Sequence, residues 1–119
     1  MVNDKWRHQD RTKALALRVI KMVEAMPKSK AGDVIGRQVL RSATSVAANY
    51  RAACNAQSRA DMLKKLKIVE EEADETLLWL ELIIESQLLP EAKVADLKDE
   101  TRQIVKMVVA SIKTLKAKK

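Results

Sequence analysis

The sequence has no phenylalanine, and its only aromatic side chains are two tryptophans and one tyrosine. A core must therefore come from Leu, Ile, Val, Met and Ala. Two glycines and two prolines supply little turn chemistry, so few breaks and long elements are expected. Cys54 is the one cysteine, which excludes an intrachain disulfide and fits a reducing cytoplasm. His8 is the one histidine, so neither a Ser-His-Asp nor a Glu-x-x-His constellation can be assembled from a single chain. Phosphate-binding glycine loops and zinc spacings are missing too, so the expectation is a non-enzyme with no metal and no cofactor. The longest apolar runs, "LLWL" and "MVVA", fall far short of the roughly 20 residues a membrane span needs. The N-terminal stretch has no apolar run before a small-residue cleavage site, so a soluble, cytoplasmic chain with no membrane partner is expected.

What is present is helical periodicity. The chain has 119 residues, 47% of them apolar and 33% charged, which is enough for one domain around one core. Leu15, Val19, Met22 and Met26 recur at three- and four-residue steps, with Ala16, Ile20 and Val23 alongside. Pro27 and Gly32 then punctuate, and Asp33 is placed to cap the next segment. That segment aligns Ile35, Val39, Ala43, Val46, Tyr50 and Ala53. Ser58 and Asp61 precede a third seam of Met62, Leu66, Val69, Ala73, Thr76, Leu80, Ile83 and Gln87. After Pro90, a fourth runs through Val94, Leu97, Thr101, Ile104, Val108, Ile112 and Leu115. Helices at about 11–26, 34–56, 59–87 and 91–116, joined by short connections, make an all-α, antiparallel up-down-up-down four-helix bundle.

The net charge of +7 is unevenly spread. Residues 58–89 carry eight acids against four cations, while residues 1–30 and 90–119 carry net +5 and +4. In an up-down bundle the starts of the first and third helices share a pole with the ends of the second and fourth. That pole collects net +10, leaving −3 for the rest. Lys5 and Arg11 are counted in it, as are Lys13 and Lys119. The candidate phosphate-contacting residues are Arg51, Arg59, Lys64, Lys65, Lys67, Lys113 and Lys116, with RNA or DNA as the polyanionic partner. Trp6 and Tyr50 lie near this pole and Trp79 well away, so contact is expected to be backbone-led rather than by base stacking. The competing reading is that terminal lysines serve only solubility.

The second helix carries a further pattern. Arg37 and Arg41 are expected to bridge to acids of the third helix, Arg41 to Glu70 or Asp74 and Arg37 to Glu81. Arg51 is expected to face Leu63 and Lys64. The small residues Ser42, Ser45, Ala48, Ala52 and Ala56 permit close approach of another helix, within the chain or from another subunit. Glu72 and Glu75, as E-x-x-E, read as salt-bridged or solvated acids rather than metal ligands. Cys54 reads as inert packing.

"IGRQVLRSATSVAANYRAA", "SRADMLKKLKIVEEEADETLLWLELI" and "VASIKTLK" resemble the bacterial 23S rRNA intervening-sequence proteins. That four-helix-bundle family also includes the accessory variability determinant of diversity-generating retroelements. The similarity runs from about Arg11 to Lys116, and Arg37, Arg41, Ser42, Ser45, Asn49, Glu72, Glu75, Thr76 and Trp79 are among the matching positions. "NYRAA" stands here where many members read N-I-A-E-G. The resemblance implies a homopentameric barrel with a basic surface and, in the retroelement branch, nucleic-acid binding and a reverse-transcriptase partner. It also implies a buried Asn49 that helps fix helix register. Two functions follow: an oligomeric nucleic-acid-binding protein, or a scaffold whose partner is another protein.

Overall fold

The fold comes from a computed structural model that describes the backbone of residues 2–118 and the side chains of residues 7–118. Its helices are α1 (Val2–Glu24), α2 (Lys30–Cys54), α3 (Arg59–Glu85) and α4 (Ala95–Ala117), with one 3₁₀ turn at Glu91–Lys93. No strand occurs among the described residues. α1 thus begins well before the expected residue 11 and stops two residues short of Met26, just ahead of Pro27.

Local chemistry sets the other boundaries. Ser29, not Asp33, caps α2: its Oγ accepts from the Gly32 amide at 2.9 Å. Asp33 instead sits in the first turn, where the exposed amides favour an acid. A Cβ on Gly32 would stand 2.9 Å from Ser29 Oγ and 3.0 Å from the Pro27 carbonyl, so the cap needs glycine there. Ser58 caps α3 as expected, accepting from the Asp61 amide at 3.0 Å.

α3 ends at Glu85, and Gln87 is exposed rather than part of the seam. The Gln87 amide donates to the Ile84 carbonyl and the Leu88 amide to the Ile83 carbonyl, both at 3.0 Å. This double closure requires a left-handed residue, and Gln87 adopts φ 63°. Pro90 begins no α-helix; it precedes the 3₁₀ turn, and α4 starts only after the buried Val94.

Successive helices pack side by side and α4 returns to α1 over a shorter contact, closing a ring in which α1 and α3 are diagonal. The rod measures 50 × 21 × 19 Å. Leu15, Val19, Val39, Val46, Leu66, Val69, Leu80, Ile83, Ile104 and Val108 are fully buried along its axis, as their spacing predicted. Among the described residues four buried polar side chains interrupt this core, and all are hydrogen-bonded. Thr12 donates to the Gln9 carbonyl at 3.0 Å and Thr101 to the Leu97 carbonyl at 2.7 Å. Ser42 Oγ and Thr76 Oγ1 lie 2.8 Å apart across the α2–α3 seam. No buried side-chain polar atom among the described residues lacks a partner.

Candidate nucleic-acid interface

Antiparallel topology brings four helix ends together. Residues 42 apart in sequence tie the start of α1 to the end of α2, where His8 Nδ1 and Tyr50 Oη are 3.2 Å apart. The start of α3 reaches the end of α4 through Arg59, whose guanidinium donates to the Lys118 carbonyl. That contact commits Arg59 in part to holding the two helix ends.

Around it, Lys64, Lys67, Lys113 and Lys116 are exposed, whereas Lys65 is half-buried and keeps its stem against the protein. Arg51 is exposed but does not face Leu63 and Lys64. It lines a groove of about 390 Å³ between α1 and α2 with Gln9, Lys13, Ala16, Thr44, Ala47 and Ala48. The difference is rotational: Arg51 lies on the outward, α1-facing side of its helix. The predicted cations therefore form two groups at one pole. Lys5, Trp6 and Lys119 lie outside the described side chains. Arg11 is withdrawn from the count, because its guanidinium forks onto Glu100 at 2.9 and 3.0 Å and reaches Gln103 at 3.2 Å. Glu100 raises the pKa of Arg11 through this hydrogen bonding and its charge, against a smaller effect of burial.

The α2–α3 seam gathers the remaining predicted residues. Arg41 bridges to Glu72 at 3.3 Å and to Glu75, rather than to Glu70 or Asp74. The helices are in a different register from the one expected: Ser42 meets Thr76, and Ser45 Oγ donates to Glu72 at 3.2 Å. Trp79 Nε1 donates to Glu75 at 3.0 Å. That indole and the Arg41 guanidinium together hold the Glu75 carboxyl below its ordinary range, against the opposing effect of burial. Glu75 and Glu72 in turn raise the pKa of Arg41.

Two expectations fail here. Arg37 is exposed and makes no ion pair or hydrogen bond among the described residues, so its interhelix role is absent. One turn along from the Arg41–Glu75 pair, the corresponding α3 position is Trp79, not an acid. Asn49 is half-buried and bonds only within α2, to the Ser45 carbonyl at 3.0 Å and the Ser45 hydroxyl at 2.9 Å. It orients Ser45, which makes the crossing contact. The small face is likewise divided, with Ser42 buried against α3 and Ala48 exposed.

These features define a slender four-helix bundle whose distinguishing chemistry is an exposed basic pole set against an acidic third helix. The chain belongs to the 23S rRNA-intervening sequence protein family, whose model matches residues 5–110. It is similar to a crystal structure of a protein of unknown function from the S23 ribosomal protein family of Bacteroides thetaiotaomicron. The two share 34% identity and a TM-score of 0.84, over 89% of this chain and 98% of that one. No curated protein matches the chain. No helix among the described residues is long and apolar enough to cross a membrane.

Proposed function

We propose that the protein is a non-enzymatic, self-associating bundle that binds the phosphate backbone of RNA or DNA through its basic pole. The observation that carries this reading is the convergence of exposed Lys64, Lys67, Lys113 and Lys116 where α3 begins and α4 ends. Lysines in the early turns of α3 oppose its dipole, a mildly unfavourable placement for folding alone. Described aromatic side chains add little there: Tyr50 is buried and Trp79 is engaged with Glu75. Recognition is therefore electrostatic and weakly dependent on sequence. Self-association, pentameric by family resemblance, multiplies the pole and adds avidity.

Fluorescence anisotropy with labelled RNA and duplex DNA tests this at low and physiological salt. Phosphate contact predicts affinity falling steeply with salt, by about 10³–10⁵ between 50 and 200 mM if about 6–10 contacts form. Reversing Lys64, Lys67, Lys113 and Lys116 to Glu should abolish binding while helicity and oligomer size stay unchanged. No binding of the unmodified protein at low salt would retire the nucleic-acid reading and leave a protein-binding scaffold.

A further inference from the structure

At the end of the rod remote from the basic pole, where α1 finishes and α4 begins, a groove of about 290 Å³ opens to the surface. Its apolar walls are Met22 and Leu97, 8% and 4% exposed, with half-buried Leu89 and exposed Ala25. Its charged walls are Arg18, Lys21 and Lys93, all exposed, and no acid among the described residues lines it.

The three cations are uncompensated. None of them makes an ion pair or hydrogen bond among the described residues. The acids within reach are turned elsewhere. Glu24 lines the groove between α1 and α2 instead, and Glu100 is held by Arg11. Glu91 and Asp96 flank Lys93 in sequence, but neither is a wall of this groove.

Folding alone gives little reason for the cluster. Lys21 complements the last turn of α1. Arg18 stands three residues before it, a like charge on the neighbouring position of the helix surface. Lys93 ends the 3₁₀ turn just ahead of α4, where the helix dipole disfavours a cation.

We infer that this groove binds a medium-chain carboxylate, with the acyl chain along Met22, Ala25, Leu89 and Leu97 and the head group among Arg18, Lys21 and Lys93. A guanidinium can take a carboxylate by two parallel hydrogen bonds, and the two ammonium groups add charge from both sides. Methionine adapts its shape to a flexible chain. A bare phosphate would leave the apolar walls uncovered, and no aromatic side chain lines the groove to stack on a base. The volume lies near the lower edge for small-molecule sites, which suits a short chain rather than a folded partner. This site stands apart from the basic pole, so it survives or fails independently of nucleic-acid binding.

Isothermal titration of the full-length chain with sodium octanoate tests the inference. Acetate supplies the head group alone, and octyl glucoside below micelle formation supplies the chain without the charge. Octanoate should bind once per chain, and hexanoate more weakly by about two- to fourfold per methylene removed. Acetate and octyl glucoside should not bind at the same concentrations. Arg18→Gln combined with Lys93→Gln should weaken octanoate by about tenfold or more. Ala25→Leu, which fills the groove, should weaken it comparably. All three replaced residues are exposed, so circular dichroism should report unchanged helicity. Lys64→Glu with Lys113→Glu, at the other end of the rod, should leave octanoate binding as it was. Absence of octanoate binding, or binding insensitive to both groove variants, would overturn the site. Equal binding of octyl glucoside would overturn the role of the cations, and equal binding of acetate that of the apolar walls. Retention on phosphatidylglycerol vesicles that is lost in the Arg18→Gln, Lys93→Gln variant would make the ligand a membrane surface and overturn the free carboxylate.

Discussion

The α2–α3 and α1–α4 seams join antiparallel helices of similar length and each carries an arginine–glutamate bridge, yet they differ in how extensively the helices pack. Between α2 and α3 small residues stand at the closest approach, and hydroxyls meet directly at Ser42 and Thr76. Between α1 and α4 the contact is shorter, and a long side chain spans the gap from Arg11 to Glu100. Beside it lies an open groove of about 290 Å³ whose walls include Met22, Ala25 and Leu97. Small residues bring backbones together and make a seam intolerant of added bulk. Between α1 and α4 the Arg11 clasp spans a looser contact and leaves room beside it. The difference implies that α2 and α3 form the stable half of the bundle and that α1 is the helix most easily released.

Bulk gives the largest test. Ser42→Leu inserts a large side chain at a fully buried position against Thr76 and should destabilise by about 1–3 kcal/mol in urea denaturation. Ala25→Leu, facing the open groove beside α4, should change stability by no more than about 0.5 kcal/mol. Equal costs would erase the distinction between the seams. Next in size, Thr76→Val removes the hydroxyl from a buried contact and should cost about 1 kcal/mol. Combined with Ser42→Ala, the loss should be clearly less than the sum of the two single losses, as a double-mutant cycle would report.

Arg11→Met keeps the apolar stem but breaks the α1–α4 clasp. A partly exposed ion pair of this kind is worth about 0.2–1 kcal/mol, so global stability should fall only slightly. The sharper readout is hydrogen exchange, where amides of α1 should lose protection and those of α2 and α3 should not.

The smallest effect is acid-dependent and belongs to the α2–α3 seam. Because the Glu75 carboxyl is held below its ordinary value of 4.5, its contribution to stability is present above that pH. It is lost as pH falls through the lower folded value. Trp79→Phe removes the foremost cause of the shift, so the difference in stability between variant and parent should narrow on acidification. A difference independent of pH would mean that the indole contributes packing alone.

Much of this architecture was legible in advance because it is written in short periods. Leu15, Val19, Leu66, Leu80 and Ile104 repeat at helical spacing, and each is buried. What escaped depends on partners far apart in sequence or on signals that are missing. Arg11 and Glu100 are 89 positions apart and have no local pattern to pair them. Register between α2 and α3 is set by which small residues dock, so the acids opposite Arg41 were misplaced by a few positions. Glycine usually announces a left-handed helix end, but Gln87 does that work here, and the end of α3 went unseen. The basic pole was legible because it follows from topology and charge alone. Its division into an Arg51 group and a lysine group was not, since that depends on the rotation of α2.

The rod is 50 Å long but only about 20 Å thick, the width of two helices with their side chains at about 10 Å each. A body this thin is nearly all wall. Among the described residues the packed side chains of one helix meet those of the next, and the grooves beside α1 open to the surface. Under the proposed function recognition takes place on the outside, among exposed residues such as Lys64 and Lys113 that contribute little to holding the rod together. Such a scaffold can exchange its outer side chains without rebuilding its interior, so a new partner would require new charges at the tips and flanks rather than a new fold.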